Sequence, residues 1–284
     1  MDQSVVRDES GHYLMQIKKH TLRKLDTLRA YLNAYSRATT KAYHTYYVDG
    51  FSGVGLCKPP GRAPVEDGSA MLALKVPRPF TVYHFVDVSP DSIRGLQANI
   101  GLMLPQAPSG VTFHVGDSNE IVPGVVAGFE KRSPSLVFLD PFGMELHFDT
   151  LRELARHPKA ELLILFYTSG LFRNLPLGSA QPLMNPQNIT KFYGNDKWHD
   201  LYEAAGKTSS KWQFRHNIIQ GYLQNLKDIG YTYQFTRQIE VHSKRVPLYV
   251  LIWAAHKDND KSELGLRIMR GVGRTDREGQ RTLF

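Results

Sequence analysis

Tyr46-Tyr47-Val48-Asp49-Gly50-Phe51-Ser52-Gly53-Val54-Gly55 is the stretch whose reading decides the fold. A short apolar run reaches an acid and then a turn holding three glycines. Glycine lets the backbone bend sharply and approach a ligand closely, because no Cβ intervenes. The spacing G-x-x-G-x-G departs from the dinucleotide fingerprint G-x-G-x-x-G, so a nicotinamide cofactor is not indicated. By itself the turn is equally an ordinary tight turn. Its meaning comes from what lies on either side.

Further apolar runs follow at residues 82–86, 111–115, 136–139 and 162–166, each rich in Val, Leu, Ile or Phe and each ending in a polar or glycine turn. Such runs read as parallel strands buried on both faces. Between them, 69–74, 91–104, 119–131 and 149–156 read as helices, several opened by Ser, Asp or Asn caps. Alternation of this kind predicts a doubly wound α/β domain. Later, apolar positions at 218, 219, 222, 223, 226 and 229 predict a helix over 215–229, stopped by Gly230. Two strand-like runs, 231–239 and 248–255, lie close enough for an antiparallel hairpin. Five parallel strands closed by such a pair predict a Rossmann-like class I methyltransferase sheet.

Upstream, residues 13–35 carry Leu14, Ile17, Leu22, Leu25, Leu28 and Leu32 at mostly helical spacing, with Lys18, Lys19, Arg23 and Lys24 in the first half. Residues 1–45 hold eight Lys/Arg and four Asp/Glu, a net of +4 and half of the chain's +8. The expected organisation is a basic helical extension over 1–45, a domain over 46–256 and a charged tail over 257–284. Within that domain, residues 171–211 show few helix or strand signals and form a long insertion, a length often functional.

With 284 residues and 42% apolar composition, the chain can bury a sizeable core, which excludes disorder as its main state. No apolar run is long enough to span a membrane and no signal-peptide core is present, so a soluble, cytoplasmic protein without membrane attachment is expected. A single cysteine, Cys57, excludes internal disulfides and cysteine-cluster metal sites. Eleven histidines lack close ligand spacing, so no metal is expected. The positive charge permits an anionic partner without identifying it.

Three acids stand at expected strand ends. Asp49 closes the first strand, Asp87 the second, and Gly116-Asp117-Ser118-Asn119 follows the third. Each could be a helix cap or a surface charge, but surface acids have no reason to track strand ends. Asp87 is placed to accept the hydroxyls of a ribose, Asp117 with Ser118 to meet an adenine amino group, and Asp49 beside Gly50, Phe51, Ser52, Gly53 and Gly55 to hold an ammonium. S-adenosylmethionine (SAM) satisfies all three.

The fourth strand runs into Asp140-Pro141-Phe142-Gly143, which looks like the D-P-P-aromatic motif of methyltransferases acting on exocyclic amino groups. There the acid and a backbone carbonyl accept hydrogen bonds from the target nitrogen, and catalysis is mainly positioning. Here the aromatic falls one place early, with Gly143 where a base-stacking ring would stand. The bland reading is a buried strand followed by an Asp-Pro turn.

The whole chain resembles the three-Cys-motif partner (TcmP) family. The residues that carry the resemblance are Lys19-His20 with Leu22-Arg23-Lys24, Tyr47-Val48-Asp49-Gly50-Phe51-Ser52-Gly53, Gly68-Ser69-Ala70, Phe85-Val86-Asp87, Gly116-Asp117-Ser118-Asn119, Asp140-Pro141-Phe142-Gly143-Met144 and Gly170-Leu171 with Arg173. The resemblance spans roughly 14–255. It implies a SAM-dependent methyltransferase fold and a partner protein carrying a three-cysteine motif.

Two functional readings follow. One is an N-methyltransferase acting on an amino group of a nucleic acid base or of a partner-bound substrate, with Asp140, Pro141 and Phe142 at the reacting centre. The other is a non-catalytic SAM- or nucleotide-binding subunit of a three-Cys-motif protein. If the partner is RNA or DNA, Lys18, Lys19, Arg23, Lys24 and Arg173 would meet phosphates, and Trp198 and Trp212 would stack on bases. Core aromatics beside solvated lysines explain the same composition.

Overall fold

The computed structural model describes residues 5–177, 183, 185–208, 210–241, 244–257 and 262–272; for Lys19, His20 and residues 206–208, 240, 241 and 244–248 only the backbone is described. The chain opens with strands β1 (Val5–Arg7) and β2 (Tyr13–Gln16), and α1 (Lys19–Ala38) begins after them. This corrects the helix expected over 13–35. Leu14 is a buried strand residue, and the five-residue step from Ile17 to Leu22 is where the helical period actually starts.

The central sheet takes β3 (Tyr46–Asp49) from the opening motif. The chain then gives β4 (Leu56–Lys58) and β5 (Glu66–Asp67), leading into α2 (Ser69–Leu74). The βα alternation continues through β6 (Val82–Asp87), α3 (Pro90–Met103), β7 (Val111–Val115), α4 (Ser118–Ala127), β8 (Ser135–Leu139), α5 (Phe148–Leu154) and β9 (Ala160–Phe166). Next come α6 (Thr168–Asn174), α7 (Pro186–Tyr193), α8 (Lys197–Thr208) and α9 (Lys211–Asp228). The hairpin β10 (Tyr233–Val241) and β11 (Lys244–Ala255) and the helix α10 (Ser262–Val272) complete the described chain.

Seven strands form one sheet in the order β7-β6-β3-β8-β9-β11-β10, with β3 and β6 to β9 mutually parallel and β11 antiparallel to both neighbours. Counted along the chain this is 3-2-1-4-5-7-6, the class I methyltransferase sheet. Successive residues of its strands face opposite layers. Val48, Val86, Val137, Leu139, Ile164, Phe166 and Ile252 pack with α4, α5, α7 and α9, whereas Tyr47, Phe85, Leu136, Phe138, Leu163, Leu165 and Trp253 pack with α1, α2, α3 and α10. Burial on both faces is why the strands read as unbroken apolar runs. A second, four-stranded sheet, β1-β2-β4-β5, lies beside the glycine turn.

Three regions differ from the sequence expectation. Among the described residues of 1–45, α1 is integral rather than an extension: Leu25, Leu28, Tyr31, Leu32 and Tyr35 are core residues, and Tyr31 donates 2.6 Å to the buried Glu161 on β9. The described residues of 171–211 are largely helical, with Ile189, Phe192, Tyr193 and Trp198 buried against α5 and α9. Those helices are short and broken at Gly194, whose φ is +95°, so no long periodic stripe marks them. The tail contains α10, with Met269 buried and the helix packed on α1 and β10; residues 273–284 lie outside the described residues. No described helix is long and apolar enough to cross a membrane.

Candidate functional site

The chain reverses its direction of travel across the sheet between β3 and β8. In doubly wound folds ligands bind at the carboxyl ends of strands at such a switch point. The glycine turn after β3 is pinned there from three sides. Gly50 N–H donates to Phe138 O of β8 (3.0 Å), and Ser52 N–H to Val86 O of β6 (2.9 Å). Ser118 Oγ, buried at the start of α4, donates to Gly50 O. Gly53 (φ +57°) and Gly55 (φ +76°) occupy left-handed backbone. A Cβ on Gly55 would stand 2.5 Å from Leu96 Cδ1. The turn therefore demands glycine twice, for conformation and for space.

Asn99 of α3 completes this framework and carried no sequence signal. Fully buried, it accepts from Tyr13 N–H (2.9 Å) and donates to the carbonyls of Tyr13 (2.7 Å) and Val54 (2.8 Å), tying β2 to the glycine turn.

The three strand-end acids behave differently. Asp49 is wholly buried; its Oδ1 accepts from Phe51 N–H (3.2 Å), while Oδ2 has no hydrogen-bond partner. Burial pushes its carboxyl up to about 7, against the Ser69 hydroxyl and the Phe51 N–H, which favour the charged form, and the nearby Asp140 and Asp87 carboxylates add to the rise. Three residues on, the buried Ser52 Oγ is likewise unpartnered. Buried polar atoms left unpaired are unusual enough to require a reason, and an unseen ligand is one. Asp87 is half-buried, with Oδ2 accepting from Gly53 N–H and Oδ1 from Ser89 N–H, both at 2.9 Å. Each oxygen keeps a further lone pair for a hydroxyl donor. Asp117 is exposed and caps α4, its Oδ1 accepting from the backbone and side-chain nitrogens of Asn119 (2.8 and 2.9 Å). Val88 and Val115, 74% and 51% exposed, flank Asp87, and Val115 is its register partner on β7. These apolar residues at strand ends also escaped the sequence reading.

Asp140, at the end of β8, pairs with Lys24 Nζ of α1, and that nitrogen lies 5.9 Å from the centre of the Tyr249 ring. Tyr249 stacks on Tyr167 at 5.0 Å, and Arg173 donates to Tyr167 Oη (3.1 Å). Burial raises the Tyr249 phenol, and the Asp140 and Tyr167 charges add to this. Pro141 is buried; Phe142 is 49% exposed, and its N–H donates to Glu145 Oε2 (3.3 Å). Gly143 (φ +88°) faces open space.

The expected nucleic-acid residues separate. Lys18 and Arg173 are exposed and Arg23 half-buried, whereas the side chain of Lys19 lies outside the described residues. Lys24 is corrected from a phosphate contact to the partner of Asp140, because its amine turns into the crevice. Trp198 is corrected from a stacking platform to a core residue: it is 2% exposed and donates Nε1–H to Thr190 Oγ1 (2.9 Å). Trp212 is 66% exposed and stacks on His216 at 5.3 Å.

Cys57 is buried in β4, and burial pushes its thiol up to about 11, opposite to a reactive thiolate. Among the described residues no group of three His, Cys, Asp or Glu could hold a metal. One cleft of about 400 Å³, lined by Tyr35, Lys41, Arg132, Pro134 and Lys159 among others, lies at the opposite, amino end of the strands. Another of about 760 Å³ lies between α7 and α8. Neither includes Asp49, Asp87 or Asp140, so the site is assigned on its polar geometry rather than on enclosed volume.

No protein-family model matches the chain, and no curated protein sequence matches it. Solved structures similar in fold include a Legionella pneumophila protein of the DUF519 family, at 10% identity over 87% of this chain and 89% of that one, TM-score 0.49. Another is magnesium protoporphyrin IX methyltransferase from Synechocystis PCC 6803 with bound SAM, at 13% identity over 83% and 80%, TM-score 0.42. A third is an rRNA methylase from Streptococcus thermophilus, at 8% identity over 84% and 97%, TM-score 0.43.

Proposed function

We propose that this chain is a SAM-dependent methyltransferase that transfers to nitrogen, acting on an amino group of a nucleic acid base or of a substrate presented by a three-Cys-motif partner. The observation that carries the reading is the unpaired buried pair Asp49 Oδ2 and Ser52 Oγ at the glycine turn, with Asp87 and Asp140 at the neighbouring strand ends. A cationic ligand with a diol would engage those groups, and SAM has both features. The TcmP resemblance agrees with it, as does the class I sheet.

When bound, SAM supplies an electrophilic methyl group. The chain's own residues bind and orient. Asp87 accepts from the ribose hydroxyls with its remaining lone pairs, Asp49 and Ser52 meet the methionine ammonium, and Val88 and Val115 give the flat base an apolar flank. Asp117, once it has capped α4, offers its second oxygen to the base amino group. Asp140 accepts an N–H from the acceptor, which aligns the nitrogen and raises its electron density. Catalysis of this kind is positioning, with no covalent intermediate on the protein.

The rival reading, a non-catalytic cofactor-binding subunit, is favoured by the position of Phe142, one place early in the motif. One experiment separates them. Purified protein, with and without a three-Cys-motif partner, is incubated with labelled SAM and separate RNA, DNA and protein pools. Label should enter one pool, and Asp140→Ala should lower transfer by at least about 100-fold while affinity for S-adenosylhomocysteine (SAH) is kept. SAH binding with no labelled pool would favour the rival; absence of SAH binding would remove both.

A further inference from the structure

The strongest unassigned feature of the crevice is a lysine from a part of the chain remote from the strand-end motifs. Lys24 lies 116 residues before Asp140, on a helix that precedes the first strand of the central sheet, yet its ammonium donates to Asp140 Oδ2. The two side chains are only 15% and 19% exposed. That distinguishes the contact from a surface ion pair, which contributes little, and makes it a partly desolvated pair whose members depend on each other. The Tyr249 ring lies beside the pair, its centre 5.9 Å from Nζ. Cations are attracted to such a ring face, so the ring helps to fix where the amine sits.

Three carboxylates gather at this end of the sheet: Asp49 is raised by both Asp140 and Asp87. An acid that must accept an N–H from the acceptor has to be ionised and has to point the right way, since a protonated oxygen donates instead. Lys24 occupies one oxygen of Asp140 and leaves the other oxygen available.

We infer that Lys24 is a positioning residue of the acceptor site: it reaches in from α1, holds Asp140 by Oδ2, and presents the other oxygen to the acceptor nitrogen. This rests on the transferase reading above. It also makes α1 part of the reacting centre, so that the site is incomplete without that helix.

The test compares Lys24→Met, which keeps length and loses charge, with Lys24→Arg, which keeps charge. Each is assayed with labelled SAM on the pool that wild type labels, beside SAH affinity and melting temperature. Lys24→Met should lower turnover at saturating SAM by about tenfold or more, since misplacement of a catalytic group is expensive in rate. SAH affinity should stay unchanged, and Lys24→Arg should recover most of the turnover. A second readout needs no turnover. Acylation of Lys24 by a succinimidyl ester, followed by peptide mass spectrometry, should be slow in wild type and several-fold faster in Asp140→Asn. Equal turnover in Lys24→Met and wild type would overturn the inference alone. So would equal losses in both Lys24 variants with lowered melting temperatures, which would make the pair a structural tie. If no pool is labelled by wild type, the transferase reading falls and the positioning role falls with it, whatever the acylation shows.

Discussion

The strand-end crevice and the helical stretch over 171–211 are both rich in side chains that handle ligands, and the tertiary structure treats them in opposite ways. In the crevice, Asp49 Oδ2 and Ser52 Oγ are buried and unpaired. In the helical stretch the polar atoms of the large residues are answered: Trp198 Nε1–H meets Thr190, Tyr193 Oη donates to Ile218 O (3.2 Å), and Asn225 donates to Tyr193 O (2.9 Å). Satisfied polar groups on buried aromatics are what a core requires, whereas an unsatisfied buried carboxylate is a demand for something else. Composition does not separate the two cases; the chemistry of the unpaired atom does, since the crevice leaves a carboxylate oxygen unpaired, whereas the core against the helical stretch leaves a phenol, that of Tyr222.

The contrast predicts that substitutions in one region change stability and in the other change affinity. The largest effect is expected at Trp198, where replacement by Ala should cost about 3–5 kcal/mol in urea unfolding through the cavity left behind. SAH affinity of the folded fraction should not move. A loss below about 0.5 kcal/mol, the range of ordinary surface substitutions, would restore the stretch as a loop free to stack on bases.

Asp87→Ala should show the reverse pattern, weakening SAH by about 1.5–3 kcal/mol in calorimetry through lost charged hydrogen bonds. Part of that arises because Gly53 N–H loses its acceptor. Unchanged affinity would detach the ribose from this strand end.

Asp49 links both quantities through pH. In the folded chain it keeps its proton up to about pH 7, whereas an ordinary aspartate releases it near 3.8. Between those values the folded state holds more protons than the unfolded one, so this residue makes stability fall as pH rises from about 4 to about 7, then level off. Asp49→Asn should remove that fall and gain most on wild type at pH 8, as read by melting temperature. Its SAH affinity should fall below that of the wild type near and above pH 7 and approach it toward pH 5, because wild-type affinity should rise toward pH 7 as the carboxylate forms. Parallel melting curves for the two proteins across pH 4–8 would show that Asp49 is not held in its neutral form.

The smallest effect is expected at Trp212. With its ring 66% exposed, replacement by Ala should change stability by no more than about 0.5 kcal/mol. If RNA or DNA is the acceptor, the same substitution should weaken binding by roughly 1–3 kcal/mol with little change in salt dependence. Equal binding with and without the ring would leave phosphate contacts to Lys18 and Arg23.

Local sequence alone determined the sheet and the position of its acids. Buried parallel strands need unbroken apolar runs, and acids that recur where such runs stop mark the strand ends, so β3, β6 to β9 and the strand-end places of Asp49, Asp87 and Asp140 were legible one segment at a time. Tertiary structure decided what depends on residues meeting across the chain. Asn99 is an ordinary helix residue until Tyr13 and Val54 present their backbone to it. Lys24 belongs to a basic helix until Asp140 turns up beneath it. Trp198 and Trp212 stand 14 positions apart in similar polar surroundings, yet one is packed under Thr190 and the other faces solvent. Burial and pairing are properties of contacts between distant segments, and neither the period nor the composition of a single segment encodes them.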